Sequence, residues 1–100
     1  MRFFVPDKQR QKNMAFFLRH AGYRQEVKRS GAVSYIKSVS GGDFPRFHIY
    51  IDEVDDGWGV NLHLDQKAPS YQGTHAHGGE YEGELVESEG ERLKAIMGKI

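Results

Sequence analysis

The sequence predicts an α+β fold: one small domain over residues 1–100, elements in the order α-β-β-β-α, an antiparallel sheet with both helices packed on one face, and the other face open. Three observations carry this. The segments RFHIYID (46–52) and WGVNLHLD (58–65) alternate apolar and polar residues on either side of a turn sequence, which is the pattern of a hairpin. Segments with helical periodicity stand near both ends of the chain. A length of 100 residues supports one modest core and no second one.

The elements follow in chain order. Pro6-Asp7 reads as a helix start with Asp7 as N-cap, and Lys8 to His20 contains neither Gly nor Pro. Met14, Phe17, Leu18 and Ala21 form one apolar stripe, and Gly22 ends the helix. Phe16 lies off that stripe, and Phe3 and Phe4 precede the helix, so these rings either extend the core or form an exposed patch. Tyr23 to Ser40 reads as a weaker strand or strand pair, with Ser30-Gly31 a turn and Ala32 to Val39 the better strand. Ser40 to Asp43 is a loop, and Pro45 suits the beginning of a strand, where its missing N–H does least damage.

With Asp56-Gly57 at the centre of the hairpin turn, Asp55 pairs with Trp58, Ile51 with Leu62, Ile49 with Leu64, Tyr50 with His63 and His48 with Asp65. A slip of one residue would scramble both faces, so the alternation selects this parity. Phe47, Ile49, Ile51, Val60, Leu62 and Leu64 then make the greasy face, and His48, Tyr50, Asp52, Asn61, His63 and Asp65 the polar one. Gln66 to Gly83 has no sustained period and reads as a loop, long enough for so small a domain to be a functional suspect. Glu84 to Lys99 is helical, with Val86, Gly90, Leu93, Met97 and Ile100 on one stripe; Gly90 there implies close approach of helix to sheet.

Composition narrows the function. Fourteen basic and fourteen acidic residues cancel, which removes the strong positive field expected of a protein that lives on phosphate backbone. Basic residues crowd the first third and glutamates the last, and charge runs of this kind usually face water. The chain has no cysteine, which excludes disulfides, thiolate nucleophiles and thiolate metal sites and suits a cytoplasmic protein. The opening apolar run is too short for a signal peptide, and no apolar stretch approaches the roughly 18 residues of a membrane span. Serines such as Ser34, Ser38 and Ser70 lack a nucleophile-elbow context, and the glycine pairs lack a phosphate-loop lysine.

Histidine is the residue that asks for a role. His63 and Asp65 share a face of one strand, His48 lies across from them, and the loop adds His75, His77 and Glu80. Imidazole with carboxylate is the ligand set of zinc, nickel, manganese or iron, so His48, His63, Asp65, His75 and His77 are the expected ligands of a divalent ion. Three ligands and an open position would permit metal-activated water chemistry with Glu80 as general base. Arg46, Tyr50, Asn61, Lys67, Tyr71 and Tyr81 are the expected binding residues around it. The alternative is a set of surface histidines that bond one another, Asp65 and Tyr50.

Gly73-x-His75-x-His77-x-x-Glu80 resembles part of the first metal motif of the cupins, although its His-to-Glu spacing is shorter, the second motif is missing and too few strands exist for that barrel. Phe44-Pro45-Arg46-Phe47-His48, Asn61 to Lys67, Tyr71-x-Gly73 and His77-x-Gly79-Glu80-Tyr81 resemble a family of small uncharacterised bacterial proteins; this resemblance implies a shared small domain and no particular chemistry.

Two other classes of function compete with metal binding. The α-β-β-β-α order is similar to double-stranded RNA-binding domains, but their basic run at the start of the last helix is replaced here by Glu80-Tyr81-Glu82-Gly83-Glu84. Stacking of bases on His48, Tyr50 and His63 is opposed by Asp52 and Asp65 on the same face. A protein partner or a homo-oligomer contact would use Tyr50, Phe3 and Phe4, since aromatics are enriched at interfaces.

Overall fold

The computed structural model describes residues 1–66, the backbone of 79–80, and residues 83–98. Their order is β1 (Arg2–Pro6), α1 (Met14–His20), β2 (Arg24–Val27), β3 (Val33–Ser38), β4 (Arg46–Val54), β5 (Gly57–Asp65), β6 (Gly79–Glu80) and α2 (Glu84–Met97). All pairings are antiparallel, in the spatial order β1-β5-β4-β3-β2. The short β6 shares the outer edge of β5 with β1, lying opposite Leu64 and Asp65 while β1 lies opposite Gly57 to Asn61. The fold is α+β, and the expected α-β-β-β-α order is corrected by a strand ahead of the first helix, by the strand pair β2 and β3 where that order counts one strand, and by β6.

The N-terminal correction has a local cause. Met1 and Leu62 exchange two backbone hydrogen bonds, which starts β1 along β5 and buries Phe3 and Val5 while Phe4 stays 51% exposed. The Phe3 and Phe4 alternatives therefore resolve in opposite directions, as strand geometry demands of neighbours. Asp7 does not cap α1. Its carboxylate accepts from the backbone N–H of Gln11 (2.9 Å) and Lys12 (2.8 Å) and from the Trp58 indole (2.9 Å), organising the loop that precedes the helix. The cap is Asn13, whose Oδ1 accepts from the Phe16 N–H at 3.0 Å. Gly22 ends this segment at φ 102°, a conformation that favours glycine.

The hairpin register is also corrected. Its two loop residues are Asp55 and Asp56, so Val54 pairs with Gly57, Ile51 with Val60, Ile49 with Leu62, His48 with His63 and Arg46 with Asp65. This lies two residues from the expected pairing. Because side chains alternate with a period of two, the alternation rejects a slip of one residue but cannot see a slip of two, and both faces keep their members. Asp56 supplies the positive φ of the turn (63°), a conformation that aspartate tolerates. Gly57 serves another neighbour: a Cβ there would stand 2.1 Å from the Val5 carbonyl oxygen.

Met14, Phe17 and Leu18 of α1 and Val86, Leu93 and Met97 of α2 join the greasy face of β4 and β5 in a single cluster. Gly90 brings α2 close to the sheet, since a Cβ at that position would meet the Met1 side chain and approach Leu62. The opposite face is closed at its centre, where Ser34 is 1%, Ile36 2% and His48 6% exposed; Asp52 at its far end is solvent-exposed. Among the described residues no helix is long and apolar enough to cross a membrane.

Candidate metal centre

Three strands position the polar cluster. Ile36 of β3 lies opposite His48 of β4, and His48 lies opposite His63 of β5, so residues of this parity share one face. Asp65 is two residues beyond His63 and reaches back to both imidazoles. Its Oδ2 is 3.0 Å from His48 Nδ1 and its Oδ1 is 3.0 Å from His63 Nε2. The other nitrogen of His48, Nε2, is 2.9 Å from the Ser34 hydroxyl. Arg46 Nε donates to Asp65 Oδ2 at 3.3 Å, while the guanidinium lies 4.6 Å from the centre of the Phe44 ring.

The partners assign the protons. An ionised carboxylate only accepts, so His48 Nδ1 and His63 Nε2 each carry a hydrogen and donate to Asp65. In the tautomer of His48 that carries its one proton on Nδ1, Nε2 accepts from the Ser34 hydroxyl. Burial holds the His63 imidazole below its ordinary value of 6.5, against the opposing pull of the Asp65 carboxylate. His63 is therefore neutral at pH 7, the form in which imidazole binds a metal.

Aromatic packing fixes the ring planes. Tyr50 stacks on His48 with centroids 4.6 Å apart and on His63 at 5.8 Å, and the two imidazoles are 4.9 Å apart. One ligand atom each from His48, His63 and Asp65 fall within 4.8 Å of one another. Asn61, expected at the site, belongs elsewhere: it donates to Asp52 Oδ2 at 2.9 Å and accepts from Arg2 at the exposed end of the face. Lys67, Tyr71, His75, His77 and Tyr81 lie outside the described residues. Of Glu80 only the backbone is described; it pairs with Leu64, so the chain that leaves the cluster after Gln66 returns beside it at Gly79, opposite Asp65.

Ser34, weighed from the sequence only as a nucleophile and set aside, is a member of this polar cluster through its contact with His48. The signal that finds it is parity across strands: once β3 is paired with β4, the alternation of Ala32 to Val39 puts Ser34 on the histidine face. A cavity of about 270 Å³, lined by Phe3, Phe4, Val5, Lys12, Lys94 and Met97 among others, lies beside β1, and no histidine among the described residues lines it. No family model, no curated protein and no solved structure matches this chain.

Proposed function

We propose that this protein binds a divalent transition-metal ion through His48, His63 and Asp65. The observation that carries the reading is the convergence of two imidazole nitrogens and a carboxylate oxygen within 4.8 Å on paired strands. Ligand atoms about 2.1 Å from a tetrahedral ion stand roughly 3.4 Å apart, so small side-chain shifts from the 3.0 Å contacts admit an ion between them. A set of two nitrogens and one oxygen suits zinc, nickel, iron or manganese, with zinc and nickel favoured over manganese by the imidazoles. Rigid strands and the Tyr50 stack hold the imidazoles ready, which lowers the ordering cost of binding.

His75, His77 and Glu80 remain proposed additional donors or, for Glu80, a general base, and the chain's return at Gly79 is what favours them. Catalysis is not part of the proposal. Nucleic-acid binding draws less support, because His48, Tyr50 and His63 stack on one another and His48 is buried, leaving poor platforms for bases. A cytoplasmic location accords with the absence of cysteine.

Titration of zinc, nickel and manganese into chelator-stripped protein, followed by Trp58 fluorescence and thermal midpoint, tests the reading. An ion at about 100 times its Kd should stabilise the fold by about 2.7 kcal/mol. His63→Ala should abolish the response. No stabilisation of the wild type, or an equal response in the variant, contradicts the reading.

A further inference from the structure

His48 makes one contact that a three-ligand site does not require. Its Nε2 faces the Ser34 hydroxyl at 2.9 Å while Nδ1 faces Asp65 at 3.0 Å. Ser34, His48 and Asp65 thus follow one another like a hydrolase relay, but at 1% exposure the Ser34 hydroxyl has no route to a substrate. Burial also keeps water from replacing it. A hydroxyl at this point has a property that no apolar or acceptor-only side chain shares, because it both donates and accepts.

We infer that Ser34 is a positioning residue for metal binding, which accommodates a change of His48 tautomer by reversing its hydrogen bond. The inference rests on the proposed metal reading. Without an ion, Nδ1–H donates to Asp65 and the Ser34 O–H donates to Nε2. With an ion, Nδ1 gives its lone pair to the metal, the single imidazole proton resides on Nε2, and Nε2–H donates to Ser34 Oγ. The imidazole keeps one proton throughout, so His48 neither gains nor loses charge. A ligating histidine held by a hydrogen bond through its other nitrogen is the arrangement that fixes ring orientation and raises ligand basicity. Ser34 meets that need in the loaded state and also satisfies His48 before loading. Ile36, two residues along β3 and 2% exposed, keeps the neighbourhood dry, so either state without the hydroxyl leaves a buried ring nitrogen unpaired.

The test combines zinc titration with long-range ¹H–¹⁵N correlation of the imidazoles. In the wild type, His48 should be the Nδ1–H tautomer without zinc and the Nε2–H tautomer with it. Ser34→Ala should weaken zinc about 10- to 100-fold while the metal-free His48 stays the Nδ1–H tautomer that Asp65 fixes, and Ser34→Thr, which keeps the hydroxyl, should recover most of the affinity. The wild-type spectra need no variant and so stand even where Ser34→Ala folds poorly. Zinc binding by the wild type with His48 already Nε2–H in the metal-free protein, or with undiminished affinity in folded Ser34→Ala, overturns the inference and leaves the metal reading intact. Failure of the wild type to bind any of the ions removes the metal reading and the inference with it.

Discussion

Asp65 receives three donors, from His48, His63 and Arg46, and only the first two belong to the proposed ligand set. Arg46 keeps a positive charge beside the place an ion would occupy, which opposes a second positive charge there. Arg46→Met should therefore raise zinc affinity by about tenfold at low salt, with the gain shrinking as salt is added; calorimetric titration that shows weaker binding would make Arg46 a supporting residue instead. At this scale the sequence was most informative. Parity alone placed His48, His63 and Asp65 on one face, and that survives the change of register. Asn61 shares the parity but not the place, since Arg2 and Asp52 hold it at the exposed end. Ser34 was hidden because its role depends on which strand lies beside β4, and pairing partners are not written in the alternation of either strand.

At the scale of elements, the helical stripes and the hairpin faces could be read directly because each is a local periodicity with one apolar side. The first strand could not. Arg2–Pro6 is short, and the Pro6-Asp7 pair that follows imitates a helix start, whereas Asp7 is held by Gln11, Lys12 and Trp58 and the helix waits for Asn13. The same missing strand explains the turn. Gly57 attracted the centre of the hairpin in the sequence reading, yet the close passage of β1 is what requires its bare Cα. Gly57→Ala should cost about 3 kcal/mol, because the obstructing atom is a backbone carbonyl that cannot swing aside. Gly90→Ala offers the contrast: there the obstruction is the flexible Met1 side chain, and recovered helix propensity of about 1 kcal/mol offsets much of the loss. Chemical denaturation of the two variants checks the difference; equal losses would show that β1 does not constrain the turn.

At the scale of the whole molecule, a partly buried polar network ties the two helical regions together. Tyr23 donates to Glu89 at 2.5 Å, Arg92 grips Glu89 with two 2.8 Å bonds, and Arg92 also reaches the Ala21 carbonyl at 2.8 Å. Burial alone would raise the Glu89 carboxyl, but the hydrogen bonds from Arg92 and Tyr23 prevail and hold it below its ordinary 4.5. Burial, reinforced by Glu89, pushes the Tyr23 hydroxyl far above its ordinary 10.0. A depressed carboxylate stabilises the fold above about pH 4.5, and that contribution is lost as pH falls through the folded value. A raised phenol has the opposite sense, so stability is lost as pH climbs past about 10, where the unfolded chain ionises first. Midpoints measured from about pH 3 to about pH 11 should show both flanks. Glu89→Gln should lower the midpoint at pH 7 and flatten the acid flank; an unchanged acid slope would contradict the assignment. None of this network was legible beforehand, because Tyr23 and Glu89 are 66 residues apart and meet only once both helices are docked.

The metal reading is tested most directly by equilibrium zinc binding to chelator-stripped protein, measured side by side for the wild type, His48→Ala, His63→Ala and Asp65→Asn. The wild type should bind one ion per chain with a rise in thermal midpoint, and each substitution should weaken that binding at least tenfold while the metal-free variants stay folded. Absence of saturable binding by the wild type, or binding that survives all three substitutions, would contradict it.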